Sequence, residues 1–325
     1  EEIPSSSDTS SDEKQQGFYG VGTDTSKSSH RIDVGKDRPG GDMNDGNSNL
    51  VDSAEECYCA CIQTNGCQAW SFRTDSNGCW LKNSVPDQTT LDTAISGVIS
   101  GGEIPSSSDT SSDETQHGFY GIGTGNNLWS RKDISASWEG PIADSCCITS
   151  MTTFPDGTIV GIGTDQQLWT RPGKDGKWSG PIANSCCVTD ITYLNDGSLL
   201  GIGTGNNLWT RPGIDGKWSG PVANSCCVKS ISQLPSGDIL GVGMNGKLWT
   251  RPGVEGSWTK VDNSGNVSGI TVTSEGNVIG IGSTCGMWER KEFDSGCWGN
   301  EIANSRCVKS VSVVRTAYST VRAEK

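Results

Sequence analysis

Histidine is nearly absent. The chain holds two, His30 and His117, in 325 residues, and neither stands beside a recognisable nucleophile motif. A histidine-based zinc site and a histidine general base are both disfavoured. Cations are also scarce: 25 Lys and Arg against 38 Asp and Glu give a net charge of −13. Nucleic acid and anionic membrane both require basic patches, so neither is an expected partner. No apolar run approaches the roughly 20 residues that cross a bilayer, so membrane insertion is not expected. Acidic residues are scattered through turns and form no paired catalytic arrangement. No catalytic residue, metal ligand or cofactor is expected, and the chain reads as a non-enzyme.

What the chain does contain is cysteine, glycine and tryptophan. Fourteen cysteines without clustered histidines read as a disulfide framework, which forms in oxidising compartments. A secreted, extracellular protein is therefore expected, and a first residue of Glu rather than Met fits removal of a signal peptide. The single N-glycosylation sequon is Asn266-Val267-Ser268.

Tryptophans recur in pairs: Trp129/Trp138, Trp169/Trp178, Trp209/Trp218, Trp249/Trp258 and Trp288/Trp298. The first member steps by 40 residues, the last time by 39, and an arginine follows two positions later each time (Arg131, Arg171, Arg211, Arg251, Arg290). Within one unit the strand signals are Ile148–Phe154, Thr158–Thr164, Gln167–Arg171 and Lys177–Ile182, with Asp156-Gly157 as a hairpin turn. A β-rich period near 40 means propeller blades. The first unit begins at Gly118 and lacks its first strand. Val308–Val313 repeats the pattern of Val228–Leu234 and can supply it, closing a ring of five blades without a free edge.

The Gly-x-Gly-x-x-x-x-Leu-Trp-x-Arg-Pro-Gly pattern resembles the tachylectin/tectonin propellers over residues 118–313. That resemblance implies sugar binding. The candidates are the loop amides Asn126, Asn127, Gln166, Gln167, Asn206, Asn207 and Asn245 beside the Leu-Trp strands. A second repeated set is Asp144, Asn184, Asn224, Asn263 and Asn304. The bland alternatives are that the tryptophans are inter-blade core and that the Asn-Ser repeats are turns bonding their own backbone.

Upstream, Ser53-Ala-Glu-Glu reads as a helix N-cap with an acidic first turn. Cys57 and Cys61 then share one helix face. Gln68–Phe72 and Cys79–Lys82 read as strands around the turn Asp75–Gly78. Cys57, Cys61, the Cys67-x-Ala-Trp-Ser-Phe strand, Cys79-Trp-Leu-Lys and Ile95–Gly101 resemble the PAN/apple domain over residues 24–102. The resemblance implies Cys57–Cys79 and Cys61–Cys67 disulfides and contact with protein or carbohydrate, without chemistry. Cys59 is extra to that pattern. The chain thus reads as mainly β: a five-bladed β-propeller preceded by a small disulfide-rich α+β PAN/apple-like domain.

The propeller cysteines fall as Cys146-Cys147, Cys186-Cys187 and Cys226-Cys227, then Gly265-Asn266 and Arg306-Cys307. Bridging each second position to the next blade's first yields Cys147–Cys186, Cys187–Cys226 and Cys146–Cys307. That ladder strands only Cys227; bonds between adjacent cysteines would strand Cys307 and require eight-membered rings. Cys285 and Cys297 are expected to pair locally, leaving Cys59 and Cys227 for bonds between domains or between molecules.

Residues 2–23 and 103–124 are near copies, differing at three positions. Each copy holds a Ser/Thr-rich tract and a Gly-Phe-Tyr-Gly-x-Gly-Thr strand signal. The tracts, 1–16 and 103–117, resemble O-glycosylated stalks, with Ser5, Ser6, Ser7, Thr9, Ser106, Ser107, Ser108 and Thr110 as acceptors. Gly17–Thr23 is a blade strand without a blade, and 314–325 is a tail. Two functions follow: recognition of glycans or glycoproteins, or a head-to-tail filament in which Gly17–Thr23 is donated to a neighbouring subunit.

Overall fold

A computed structural model describes residues 32–51, 53–99, 118–261, 264–291, 293 and 296–314. Gly17–Thr23, both Ser/Thr-rich tracts with their glycosylation candidates, both histidines and Asn263 lie outside the described residues.

The N-terminal unit contains β1 (Ile32–Asp37), β2 (Asn49–Leu50), α1 (Ala54–Gln63), β3 (Ala69–Arg73), β4 (Gly78–Lys82) and β5 (Thr89–Val98). The strands form one antiparallel sheet in the order β1-β5-β3-β4-β2. The Ser53 hydroxyl accepts from the Glu56 backbone N–H, capping α1 as its sequence position requires. Cys57 and Cys61 face inward from α1 onto Trp70, Phe72 and Leu81. Their disulfides to Cys79 and Cys67 pin the helix to the sheet in a unit too small for a large apolar core.

The second unit opens with β6 (Phe119–Gly123) and β7 (Leu128–Arg131). Next come β8 (Ile148–Thr153), β9 (Thr158–Gly163) and β10 (Leu168–Pro172), then β11 (Val188–Tyr193), β12 (Leu199–Gly203) and β13 (Leu208–Arg211). A fourth group is β14 (Val228–Gln233), β15 (Ile239–Gly243), β16 (Leu248–Arg251) and β17 (Thr259–Lys260). The fifth is β18 (Val267–Val272), β19 (Val278–Gly282), β20 (Met287–Arg290) and β21 (Trp298–Glu301), and β22 (Val308–Val313) ends the chain's described strands.

These strands make separate antiparallel sheets, one per group. β22 returns to pair with β6, placing Val311 opposite Gly121. The inner strands then adjoin in a closed circuit, β22 to β8 to β11 to β14 to β18 and back to β22. That closure makes the unit propeller-like and removes the inner edge that the first sheet would otherwise expose.

The expected fourth strand survives only in part. In the first three blades it is one isolated bridge, Ser130–Glu139, Thr170–Ser179 or Thr210–Ser219. Each bridge is followed by Gly-Pro, and proline has no N–H to extend the ladder. Where the fourth blade is one residue shorter and Lys260 alone stands in place of that dipeptide, β17 pairs properly with β16.

The Trp pairs have two different jobs. The second tryptophan lies over the first glycine of Gly-x-Gly: a Cβ on Gly161 would sit 2.8 Å from the Trp178 ring. The first tryptophan covers the second glycine: a Cβ on Gly163 would sit 2.7 Å from Trp169 Nε1. The second tryptophan also reaches the preceding blade. Trp178, Trp218 and Trp258 donate to the carbonyls of Ser145, Ser185 and Ser225 at 3.2, 3.0 and 3.1 Å. Trp138 closes the circuit on Ser305 at 3.2 Å.

The same serines hold their own loops. Ser185 Oγ accepts from Leu168 N at 2.9 Å and donates to Ile182 O at 2.6 Å. Replacing Ser185 with alanine leaves the buried Leu168 N–H without a partner. Ser185→Ala is expected to cost about 1–3 kcal/mol, read as a lower denaturant midpoint at unchanged slope.

Candidate functional site

Four of the five repeated, buried arginines are bonded across the seams between blades. Arg171 donates to Asp144 O at 2.8 Å and Ala143 O at 3.0 Å; Arg211 and Arg251 repeat this on Asn184/Ala183 and Asn224/Ala223. Arg131 does so on Asn304 and Ala303 across the closing seam. Asp144, Asn184, Asn224 and Asn304 take left-handed φ between 51° and 55°, the turn that aims these carbonyls at the arginine. This repeated set is therefore architectural, as turn chemistry alone would have it.

The seven loop amides occupy the turn between the second and third strands of their blades, spread around the ring. They do not converge. Asn126, Gln166 and Asn206 supply left-handed φ of 63°, 61° and 60°. Asn127 and Asn207 donate to the carbonyls of Gly125 and Gly205, and Gln167 donates to Asp165. Asn126 accepts from Lys309. Asn245, which accepts from Lys247 N at 3.1 Å, is the member that borders a cleft.

That cleft, about 350 Å³, lies at the seam of the third and fourth blades. Its walls include Cys226, Cys227, Met244, Asn245, Trp249 and Trp258. Both cysteines, Met244 and Asn245 are exposed, and the two indoles are half-buried. Met244 replaces the threonine that stands at 124, 164 and 204 in the preceding blades. That departure from the repeat is the sequence signal for this cleft, and reading the repeats as equivalent passes over it.

The propeller cysteines correct the ladder. The bonds are Cys146–Cys147, Cys186–Cys187 and Cys226–Cys227, each between neighbours with Cα atoms 3.7–3.8 Å apart. Cys147–Cys186, Cys187–Cys226 and Cys146–Cys307 do not form. Each pair sits at its own seam, where Cys187 donates to Gln166 O and accepts from Thr204 N. The next pair is a full blade away. Cys297 pairs with Cys59 of α1 rather than with Cys285. Gln63 donates to Trp298 O, and Lys247 lies 3.9 Å from Glu56, so α1 rests on the fourth and fifth blades beside the cleft-bearing turn. Asn266 is exposed, as an N-glycan acceptor must be.

On the ring axis a second cavity, about 100 Å³, is lined by the inner strands, about half of its lining residues being Ser or Thr, with Asp190, Lys229 and Lys309 among the rest. Asp190 stands where Ser150, Ser230 and Ser310 stand in other blades. It accepts from Ile231 N at 2.9 Å and from Ser150 Oγ. Burial pushes its carboxyl pKa up, and the hydroxyl and amide bonds offset this only in part. Among the described residues, no cluster of three His, Cys, Asp or Glu side chains could hold a metal ion.

A PAN domain family model matches residues 36–82. The disulfides and this domain fit an extracellular protein, and among the described residues no helix is long and apolar enough to cross a membrane. No curated protein matches the chain. One similar solved structure comes from work on the de novo evolutionary emergence of a symmetrical protein. It has 15% identity and a TM-score of 0.42, and the match covers 60% of this chain and 97% of that one. A gluconolactonase of Xanthomonas campestris matches at 11% identity and TM-score 0.40, covering 59% and 78%. A Bacteroides caccae protein of unknown function matches at 11% and 0.35, covering 62% and 100%. The chain has a PAN domain match at residues 36–82 followed by a propeller-like unit.

The Asp190 carboxyl has a testable consequence. A folded pKa above the unfolded value means the folded state holds its proton more tightly. Stability therefore falls as pH rises from the ordinary carboxylate range toward the raised value. Serine at this position can accept from the neighbouring strand, as Ser230 does from Ile270 N at 3.2 Å. Asp190→Ser is expected to raise the thermal midpoint, with a larger gain at about pH 7 than at about pH 4.

Proposed function

We propose that this is a secreted, non-enzymatic recognition protein that binds carbohydrate at the cleft beside Trp249. The observation carrying this reading is the wall itself: a half-buried indole and an exposed disulfide next to an exposed amide. An apolar wall suits the C–H face of a pyranose, and the Asn245 side chain has both a donor and an acceptor for ring hydroxyls. The resemblance of the repeats to tachylectin/tectonin propellers and the PAN domain's frequent use in binding support the same class of ligand. Glycans and glycoproteins are the expected partners.

Trp249→Ala is expected to weaken binding to the best ligand found on a glycan array by about tenfold or more, measured calorimetrically. Trp209→Ala, which removes the corresponding indole one blade earlier, is the control and retains affinity. Equal affinity in Trp249→Ala and wild type would overturn the reading.

A second reading, a head-to-tail filament, is favoured by the open outer edges of the first three blades. There β7, β10 and β13 are each covered by a single bridge. β6, whose sequence Gly17–Thr23 nearly duplicates, is already paired on both sides by β22 and β7. The duplicate therefore requires another edge, which a neighbouring molecule offers. Removal of residues 1–23 is expected to abolish large assemblies in light scattering; assemblies of unchanged size would sink this reading.

A further inference from the structure

Twelve of the fourteen cysteines are bonded, leaving Cys285 and Cys307. We infer that these two form a disulfide across the seam between the fifth blade and the first, latching the closing strand β22 to the ring.

The inference rests on what lies at the other seams. Each blade has a turn residue between its second and third strands, and the loop ending that blade passes over it. At successive seams Asn126 O accepts from Ile148 N, Gln166 O from Cys187 N, Asn206 O from Cys227 N and Gly246 O from Val267 N, at 2.9–3.1 Å. Cys285 occupies the turn position and Cys307 the loop position of the remaining seam. Their backbones match the repeat: Cys285 has φ 61° against 61° for Gln166, and Cys307 has φ 76° against 79° for Cys147.

The fourth seam reports the side-chain direction. Gly246 and Asn266 are the equivalents of Cys285 and Cys307, and a Cβ built on Gly246 falls 3.3 Å from Val267 O, 3.4 Å from Asn266 Cα and 3.5 Å from Asn266 Oδ1. A side chain at the turn position thus points at the loop residue. At those four seams the turn carbonyl bonds the loop residue itself or the one after it, so turn and loop backbones lie side by side, and a disulfide requires Cα atoms about 4.4–6.8 Å apart.

The substitution pattern points the same way. In the first three blades the loop cysteine has its neighbour as partner. Before Cys307 that neighbour is Arg306, whose guanidinium is held by Glu301 at 2.7 and 3.1 Å. A cysteine appears at the turn position only in this blade, opposite the one loop cysteine without an adjacent partner.

The bond forms by thiol–disulfide exchange with an external protein or glutathione-type disulfide. One thiolate attacks a sulfur of that disulfide and expels a thiol. The second thiolate then attacks the protein sulfur of the mixed disulfide and expels the other. Two protein thiols and one external disulfide become one protein disulfide and two thiols. Unlike the adjacent pairs, this bridge spans a seam. It would fix the start of β22, which is otherwise held to β6 by noncovalent pairing.

Peptide mapping of the full chain secreted by eukaryotic cells tests this. The protein is denatured, alkylated without reduction, freed of N-glycans and digested with trypsin. Trypsin separates Cys285, Cys297 and Cys307 onto the peptides 261–290, 292–306 and 307–309. The expected result is no alkylated cysteine and a 261–290 peptide linked to 307–309. Cys285→Ser and Cys307→Ser should each expose one alkylatable thiol, at Cys307 and Cys285 respectively. Alkylation of both cysteines in the wild type, linkage of Cys307 to another partner, or a disulfide-linked dimer on a non-reducing gel would overturn the inference.

Discussion

The clasp that one blade places on the loop of its predecessor organises the ring. An indole N–H reaches across each seam to a carbonyl of the loop closing the preceding blade, and at four of the seams a guanidinium does so too. The guanidinium is fully buried, yet carbonyl oxygens surround it rather than carboxylates. A planar donor fork meets several such acceptors at once, which a lysine could not do. These four arginines also lie against their blades' second indoles, with Arg251 5.6 Å from the Trp258 ring centroid. Loop shape and the glycine sockets are set where these two groups meet at a seam.

The inner strands add a second layer of coupling. Tyr193 N bonds Thr152, Ile231 N bonds Asp190, and Val272 N bonds Ser232, so hydroxyls and one carboxyl of each blade satisfy N–H groups of the next. This explains why the axial cavity is polar: its lining residues accept from backbone donors that no neighbouring strand of their own sheet reaches. Apolar packing lies between the blades instead, in clusters such as Val160, Ile162 and Leu168 against Val188 and Ile191.

The PAN domain is tied to one sector of the ring. Cys59–Cys297 anchors α1 on the fifth blade while Glu56 approaches Lys247 on the fourth. Lys247 donates its N–H to Asn245, the amide at the cleft. The cleft and the N-terminal unit therefore share a turn. Met244 gives this seam an apolar side chain where the equivalent seams, which have adjacent cysteine bonds of their own, carry threonine.

The sequence by itself determined the first three strands of each blade and the local caps and turns. The period located the strands, and the missing first strand pointed to Val308–Val313 as its replacement. Ser53 marked the start of α1, and the PAN-like spacing implied Cys57–Cys79 and Cys61–Cys67. These signals are readable because they depend on alternation, caps and turns within a few residues. The partners of the other cysteines were not readable from spacing. Cys59 meets Cys297 across a sequence separation of 238, a pairing created only when the two domains dock. The adjacent pairs close on themselves because each loop is held within one seam, which was invisible until the ring placed successive loops a blade apart. The site followed the same rule: seven amides looked alike in sequence, and tertiary packing set one of them beside an indole, a methionine and a disulfide.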